Sequence, residues 1–243
     1  MSELIVPDWP VPATVRAYST TRAGGVSAAP WDSLNLGDHV GDRPEAVQAN
    51  RQRLVDMAEL PAMPYWLEQV HGTDVVRLDG TTPATRRADA VWSNQPNTVC
   101  AVMTADCLPV LFCSADGKEV AAAHAGWRGL CAGVLENTLR QFSARPQDIY
   151  VWLGPAIGPE AFEVGAEVRA AFIAHDPQAE KAFRPVGAKF YADLWLLARQ
   201  RLTAQGVSAI SGSGRCTWHE SAHFFSWRRS GTTGRMATLI WLI

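Results

Sequence analysis

The sequence predicts one domain built on a mixed β-sheet system rather than a doubly wound parallel sheet. Strand-like stretches outnumber helical ones along the 243 residues. Several are joined by turns too short for the crossover that parallel neighbours need, as at His71-Gly72-Thr73 between residues 65–70 and 74–78. No internal repeat, low-complexity tract or linker rich in Gly, Ser or Pro marks a domain boundary.

Each element follows from its local composition. Runs rich in β-branched and aromatic residues at 65–70, 74–78, 99–104, 110–113, 120–124, 149–153, 223–227 and 236–242 read as strands. Residues 43–60 read as a helix, with Pro44 in the first turn, where its missing N–H costs nothing, and Val47, Leu54 and Ala58 recurring along it. Residues 127–142 repeat Trp127, Cys131, Val134, Leu135, Leu139 and Phe142 in a helical pattern. Further helices are expected over 165–174 and 192–205. The latter has Leu194, Leu197, Ala198 and Leu202 on one face, and Gly206 stops it.

The composition excludes several function classes. With 22 Lys+Arg against 24 Asp+Glu, and no basic run, the chain lacks the electrostatic footprint of a nucleic-acid or anionic-membrane binder. Small-molecule chemistry is the default. Residues 1–20 carry Glu3, Asp8 and three prolines where a secretory signal would need a basic start and an unbroken apolar stretch, and no other apolar run reaches transmembrane length. A cytoplasmic location is therefore expected, with Cys100, Cys107, Cys113, Cys131 and Cys216 as thiols available for packing, metal or catalysis.

Three side chains stand where sites are commonly built, at the ends of expected strands. His71 follows residues 65–70, Cys107 interrupts the apolar run ahead of Pro109, and His124 closes 120–124 before Gly126-Trp127 opens a helix. Two imidazoles and a thiolate form an N₂S set for zinc that leaves a fourth position open, as catalytic zinc does. Taken singly, each histidine is more often a hydrogen-bonded structural residue, and Cys107 more often a small buried hydrophobe.

The sequence His219-Glu220-Ser221-Ala222-His223 matches the metalloprotease pattern, but that pattern puts two histidines on one metal only on a helix. Here Phe224-Phe225-Ser226-Trp227 reads as a strand, and residues 224–243 hold no Asp, Glu or His as a third ligand. A solvated turn is expected. The glycine loops around Gly24-Gly25 and Gly154-Pro155 lack Walker or dinucleotide spacing and read as turns. Arg22 beside two glycines, Arg128 in the first turn of a helix, and the C-terminal guanidiniums of Arg228, Arg229 and Arg235 are candidates for bidentate anion binding, although a solvated surface is the commoner place for any one arginine.

Taken in order, Thr21-Arg22-Ala23-Gly24-Gly25, Ser33-Leu34-Asn35-Leu36-Gly37, Gln69-Val70-His71-Gly72, Ala88-Asp89-Ala90, Thr104-Ala105-Asp106-Cys107-Leu108-Pro109, Ala123-His124-Ala125-Gly126-Trp127-Arg128 and Leu153-Gly154-Pro155 make a specific combination. It continues through Cys216-Thr217 and Phe224-Phe225-Ser226-Trp227-Arg228-Arg229 to Gly234-Arg235-Met236. The chain resembles, over nearly its whole length, the laccase-domain family of YfiH-like proteins, also called polyphenol oxidase or peptidoglycan editing factor proteins. The His219–His223 pair is not part of the family pattern.

The resemblance implies a single α+β domain, residues 1–243, with mixed β-sheets packed as a sandwich and helices outside. It also implies zinc held by His71, Cys107 and His124. The implied activities are phosphate-dependent cleavage of adenosine, inosine or methylthioadenosine, deamination of adenosine, and editing of wrongly incorporated amino acids in peptidoglycan precursors. An older naming implies a copper polyphenol oxidase.

Zinc with an open position lowers the pKa of a bound water, which suits deamination at purine C6. Phosphorolysis needs cations to hold phosphate under ribose C1′, for which Arg22, Arg128 and Arg228 are candidates, while Asn35 and Gln69 are candidates for substrate hydrogen bonds. Copper oxidase chemistry is least favoured, because a blue-copper centre plus a trinuclear cluster needs many imidazoles and the chain has six, with no His-X-His pair. Two alternatives stay open: a Cys107 nucleophile with His124 or His71 as base acting on an acyl or amide substrate, and a non-catalytic binding protein. No heptad or other signature supports an assembly, so a monomer is expected, with nucleoside and phosphate as its partners.

Overall fold

The computed structural model describes residues 4–243. In chain order the strands are β1 (Leu4–Ile5), β2 (Val15–Thr20), β3 (Val75–Leu78), β4 (Ala90–Ser93), β5 (Cys100–Thr104), β6 (Leu108–Ser114), β7 (Val120–Ala125), β8 (Ile149–Leu153), β9 (Glu163–Val164), β10 (Phe183–Val186), β11 (Lys189–Ala192), β12 (Ala209–Gly212) and β13 (Met236–Leu242). The helices are α1 (Pro44–Met57), α2 (Trp127–Ala132), α3 (Val134–Leu139), α4 (Ala166–His175), α5 (Leu194–Ala204) and α6 (Trp227–Ser230). A six-stranded sheet runs β12-β8-β6-β7-β4-β3, antiparallel in its centre, with a parallel pair at each edge. A four-stranded antiparallel sheet runs β1-β2-β13-β5, and β10-β11-β9 form a small third sheet.

The two larger sheets pack face to face. Val15, Ala17, Cys100, Val102, Ile240 and Leu242 from one meet Val76, Val91, Leu111, Cys113, Val120, Ala122 and Trp152 from the other. The outer face of the four-stranded sheet, with Ala101, Met103, Ala237, Leu239 and Trp241, is covered by Leu54 and Ala58 of the α1 segment and by Leu34, Leu36 and Trp66. The opposite face of the six-stranded sheet, with Trp92, Val110, Phe112 and Val151, packs on Leu130, Leu135, Val168, Phe172, Leu197 and Leu202 of α2–α5. Both sheets are thus buried on both faces, so β5, β6, β7 and β13 are apolar runs instead of alternating ones. Truncating a buried leucine here, such as Leu111, costs about 2–5 kcal/mol. This is the α+β sandwich with flanking helices that the resemblance implied. No helix among the described residues is long and apolar enough to cross a membrane.

Three local expectations need correction. Residues 65–70 form only isolated bridges, Tyr65 to Cys100 of β5 and Glu68 to Arg87 in the loop before β4, so no run of successive pairings makes them a strand. Residues 223–227 make no strand. After a turn, the buried Phe224 and Phe225 lead directly into α6, so the metalloprotease pattern is neither helical nor followed by a strand. The single helix expected over 127–142 breaks at Gly133, whose φ of 105° lies in the left-handed region that glycine enters without strain. Beneath that break, Arg201 of α5 donates through Nε to Glu136 of α3, tying the two helices together.

Candidate metal centre and active-site cavity

The chain crosses from the four-stranded to the six-stranded sheet in the turn between β5 and β6, and Cys107 sits in that turn. Asp106, just before it, has a φ of 97°. This strained residue is pinned: its carboxylate accepts Thr217 Oγ1 and the Arg228 N–H, each at 2.7 Å, and its carbonyl accepts the Ile157 N–H at 2.9 Å. His124 lies near the end of β7, and the β4–β7 register brings it opposite Asp89, whose carbonyl accepts the His124 N–H at 2.7 Å. His71 occupies a bend with a φ of 59°. That bend is held by Asp89, which accepts the N–H groups of Val70, His71 and Gly72 at 3.1, 2.9 and 2.7 Å.

These placements bring one ligand atom each from His71, Cys107 and His124 within 4.8 Å of one another, and this is the one such three-residue group among the described residues. His71 Nε2 lies 3.8 Å from Cys107 Sγ, and the two imidazoles meet edge to face with centroids 4.7 Å apart. His124 Nδ1 is bonded to Asp89 Oδ1 at 2.8 Å, leaving Nε2 as its available nitrogen. Such a carboxylate–histidine pair fixes the tautomer and orientation that a metal ligand needs. Gly126 makes the space: a Cβ there would stand 2.7 Å from His71 Cδ2 and 3.0 Å from Cys107 Sγ. Burial pushes the Cys107 thiol up, but His124 and His71 outweigh it and bring the thiol down to about 6. His124 moves the other way: burial lowers it, while Cys107 and Asp89 raise it further. A thiolate and two oriented imidazoles in one cluster fit a borderline-soft divalent metal.

The cluster opens into a cavity of about 350 Å³. Of the residues expected to meet substrate, Gln69, Arg128 and Arg228 line it. Gln69 faces inward with its amide already committed, donating to the Met103 carbonyl at 2.8 Å and accepting the Met103 N–H at 2.7 Å. Arg22 and Asn35 are not among the lining residues. Arg22 pairs with Asp32, donates to the Ser221 carbonyl and lies over Phe225. Buried Asn35 binds both main-chain groups of Gly37, Asp42 and the Arg235 N–H. Both residues hold loops together.

In their place the tertiary structure brings His39, Arg235 and Trp227 to the cavity, and Asp89 behind it. The Arg235 guanidinium binds the carbonyls of Thr233 and Gly234 through Nη1. Burial lowers its pKa, while the attraction of Cys107 and Asp106 works against that. In the sequence Arg235 was visible only as one of several C-terminal guanidiniums, Asp89 only as a motif residue, and His39 carried no signal. Arg229 is spent on the carbonyls of Thr217, Trp218 and Phe224.

A family model described as multi-copper polyphenol oxidoreductase laccase matches residues 16–243. The chain is 62% identical over 243 residues, the full length of both, to proteins named purine nucleoside phosphorylase YfiH from Shigella flexneri and Escherichia coli K12. It is 55% identical to a purine nucleoside phosphorylase of Pseudomonas aeruginosa, covering 100% of this chain and 99% of that one. Among solved structures, the Neisseria meningitidis protein NMB0706 superposes with a TM-score of 0.93 at 50% identity, covering 98% of each chain. YlmD of Geobacillus stearothermophilus gives 0.88 at 34% identity, covering 95% of this chain and 92% of that one. The chain therefore belongs to the family of multi-copper polyphenol oxidoreductase laccases, the YfiH-like proteins.

Proposed function

We propose that this protein is a zinc-dependent purine nucleoside phosphorylase that converts adenosine, inosine or methylthioadenosine and phosphate to free base and sugar 1-phosphate. The observation that carries this reading is one cavity lined both by the His71, Cys107 and His124 cluster and by Arg128, Arg228 and Arg235. Full-length relatives named for the same activity support it.

His71, Cys107 and His124 would hold zinc, which when bound supplies Lewis acidity at the reacting centre. The donor set favours zinc over a multi-copper arrangement, which needs further ligand groups that the described residues do not assemble. Arg128, Arg228 and Arg235 hold the phosphate by charge-assisted hydrogen bonds. A phosphate oxygen attacks ribose C1′ as the bond from C1′ to the purine nitrogen breaks. The base leaves with the bonding pair and takes up a proton. Cationic groups fixed before substrate arrives stabilise the developing charge without reorganising. A thiolate ligand suits a reducing compartment, so we place the enzyme in the cytoplasm.

A second reading has one observation behind it, the lowered Cys107 pKa: a metal-free Cys107 nucleophile with His124 as base, acting on an acyl substrate. Metal content and turnover on one sample separate the two. Stoichiometric zinc, with hypoxanthine released from inosine only when phosphate is present, is the expected result. Release without phosphate, or full activity after zinc is stripped, overturns the phosphorylase reading. Adenosine in the phosphate-free arm tests deamination through the appearance of inosine.

A further inference from the structure

Three rings besides the imidazoles line the cavity: Trp127, Phe162 and Trp227. Two already carry a cation. Arg128 lies over Trp127 at 4.6 Å from its centroid, and Arg228 over Phe162 at 5.3 Å. Trp227 is 57% exposed, and among the described residues no ring or guanidinium packs on it. An indole left bare on the wall of a concave site is apolar surface that a ligand can cover.

Its position is set from the metal cluster. Trp227 begins α6, and the next residue, Arg228, donates its N–H to Asp106 Oδ2 at 2.7 Å. Asp106 is also bonded to Thr217 and directly precedes Cys107. One carboxylate therefore ties the turn carrying the thiolate to the segment carrying the indole. Ser226 Oγ accepts the Arg229 N–H at 3.2 Å and closes the first turn of α6.

We propose that Trp227 is the base-stacking platform of this site, a specificity residue that favours the fused ring of a purine over a single-ring base. The inference rests on the nucleoside reading above. Stacking reads the π-face of a base and not its edge substituents. One platform therefore accepts adenine, hypoxanthine and methylthioadenosine alike, and the larger ring system gains more from the indole than a pyrimidine does. The guanidiniums over the other two rings are two of those assigned to phosphate above, and Arg228 also donates through Nη1 to the Glu163 carbonyl at 2.6 Å.

The test compares wild type, Trp227→Ala and Trp227→Phe as zinc-loaded full-length proteins. Inosine and uridine binding are measured calorimetrically without phosphate, and inosine phosphorolysis is followed alongside. Because the side chain is exposed, both variants are expected to melt as wild type does. Trp227→Ala should weaken inosine binding and raise its KM about tenfold, with Trp227→Phe within about threefold of wild type. The KM for phosphate and the zinc content should not move. Inosine affinity within about twofold of wild type in Trp227→Ala, or wild type binding uridine as tightly as inosine, overturns the proposal. A parallel rise in the KM for phosphate also overturns it, since it would show a general disturbance of the cavity. Wild type that binds inosine without phosphorolysis overturns the phosphorylase reading alone, because the platform is still judged by binding. Wild type that binds no inosine overturns both.

Discussion

Asp89 Oδ1 meets His124 Nδ1 at 2.8 Å, and the same carboxylate receives three consecutive N–H groups from the bend that presents His71. One buried side chain thus orients two candidate ligands from different parts of the chain. Burial alone would raise its pKa, but His124 and the backbone donors hold it below the usual carboxylate range. Asn in its place would turn an NH₂ against one set of these donors. Asp89→Asn is therefore expected to weaken zinc affinity by roughly 10–100-fold, measured by competition with a chromophoric chelator. Wild-type affinity in a folded Asp89→Asn protein would show that Asp89 does not orient the ligands.

Gly126 adopts ordinary extended backbone, so its requirement is space and not conformation. Gly126→Ala places a methyl against His71 and Cys107, and one of them must give way. Zinc affinity should fall about tenfold or more, because metal sites tolerate only small shifts of their ligands. Gly126 joins β7 to α2 in a backbone conformation that alanine also adopts, so thermal unfolding of the zinc-free variant should match that of the zinc-free parent. Unchanged affinity would mean that His71 and Cys107 have room to part.

In zinc-depleted protein Cys107 should titrate near a pH of about 6, not at an ordinary thiol value. Its folded pKa is depressed while that of His124 is raised, so the thiolate–imidazolium pair exists between the two values. The stabilisation from Cys107 is lost as pH falls through about 6, and that from His124 is lost as pH rises through its elevated value. Iodoacetamide alkylation of Cys107, followed by mass spectrometry across pH, should show its midpoint near the lower limit. His124→Ala should move that midpoint upward. A midpoint unchanged by His124→Ala would assign the low value to another cause.

Strands β5, β6, β7 and β13 were legible, as 99–104, 110–113, 120–124 and 236–242, because sheets covered on both faces need continuous apolar runs, and such runs are visible without neighbours. The α1 helix was equally legible from Pro44 and its apolar stripe. Strands β1, β2, β4 and β9–β12 were not, and all of these except β2 are two to four residues long, which gives too little period to detect. Residues 223–227 have strand composition, yet Phe224 and Phe225 are buried in a cluster with Ala105 and Met236 instead of pairing in a sheet. His71, Cys107 and His124 were legible from sequence as candidate ligands, being residue types that bind a borderline-soft metal and standing at breaks in apolar runs. Which arginines and aromatics share their cavity followed from the fold, which brings Arg235 and Trp227 there and leaves Arg22 and Asn35 in supporting loops. The physical reason is that ligand type is a property of each residue, whereas proximity depends on where β5 crosses to β6 and on the pinning of Asp106 and Asp89, contacts between residues far apart in the chain.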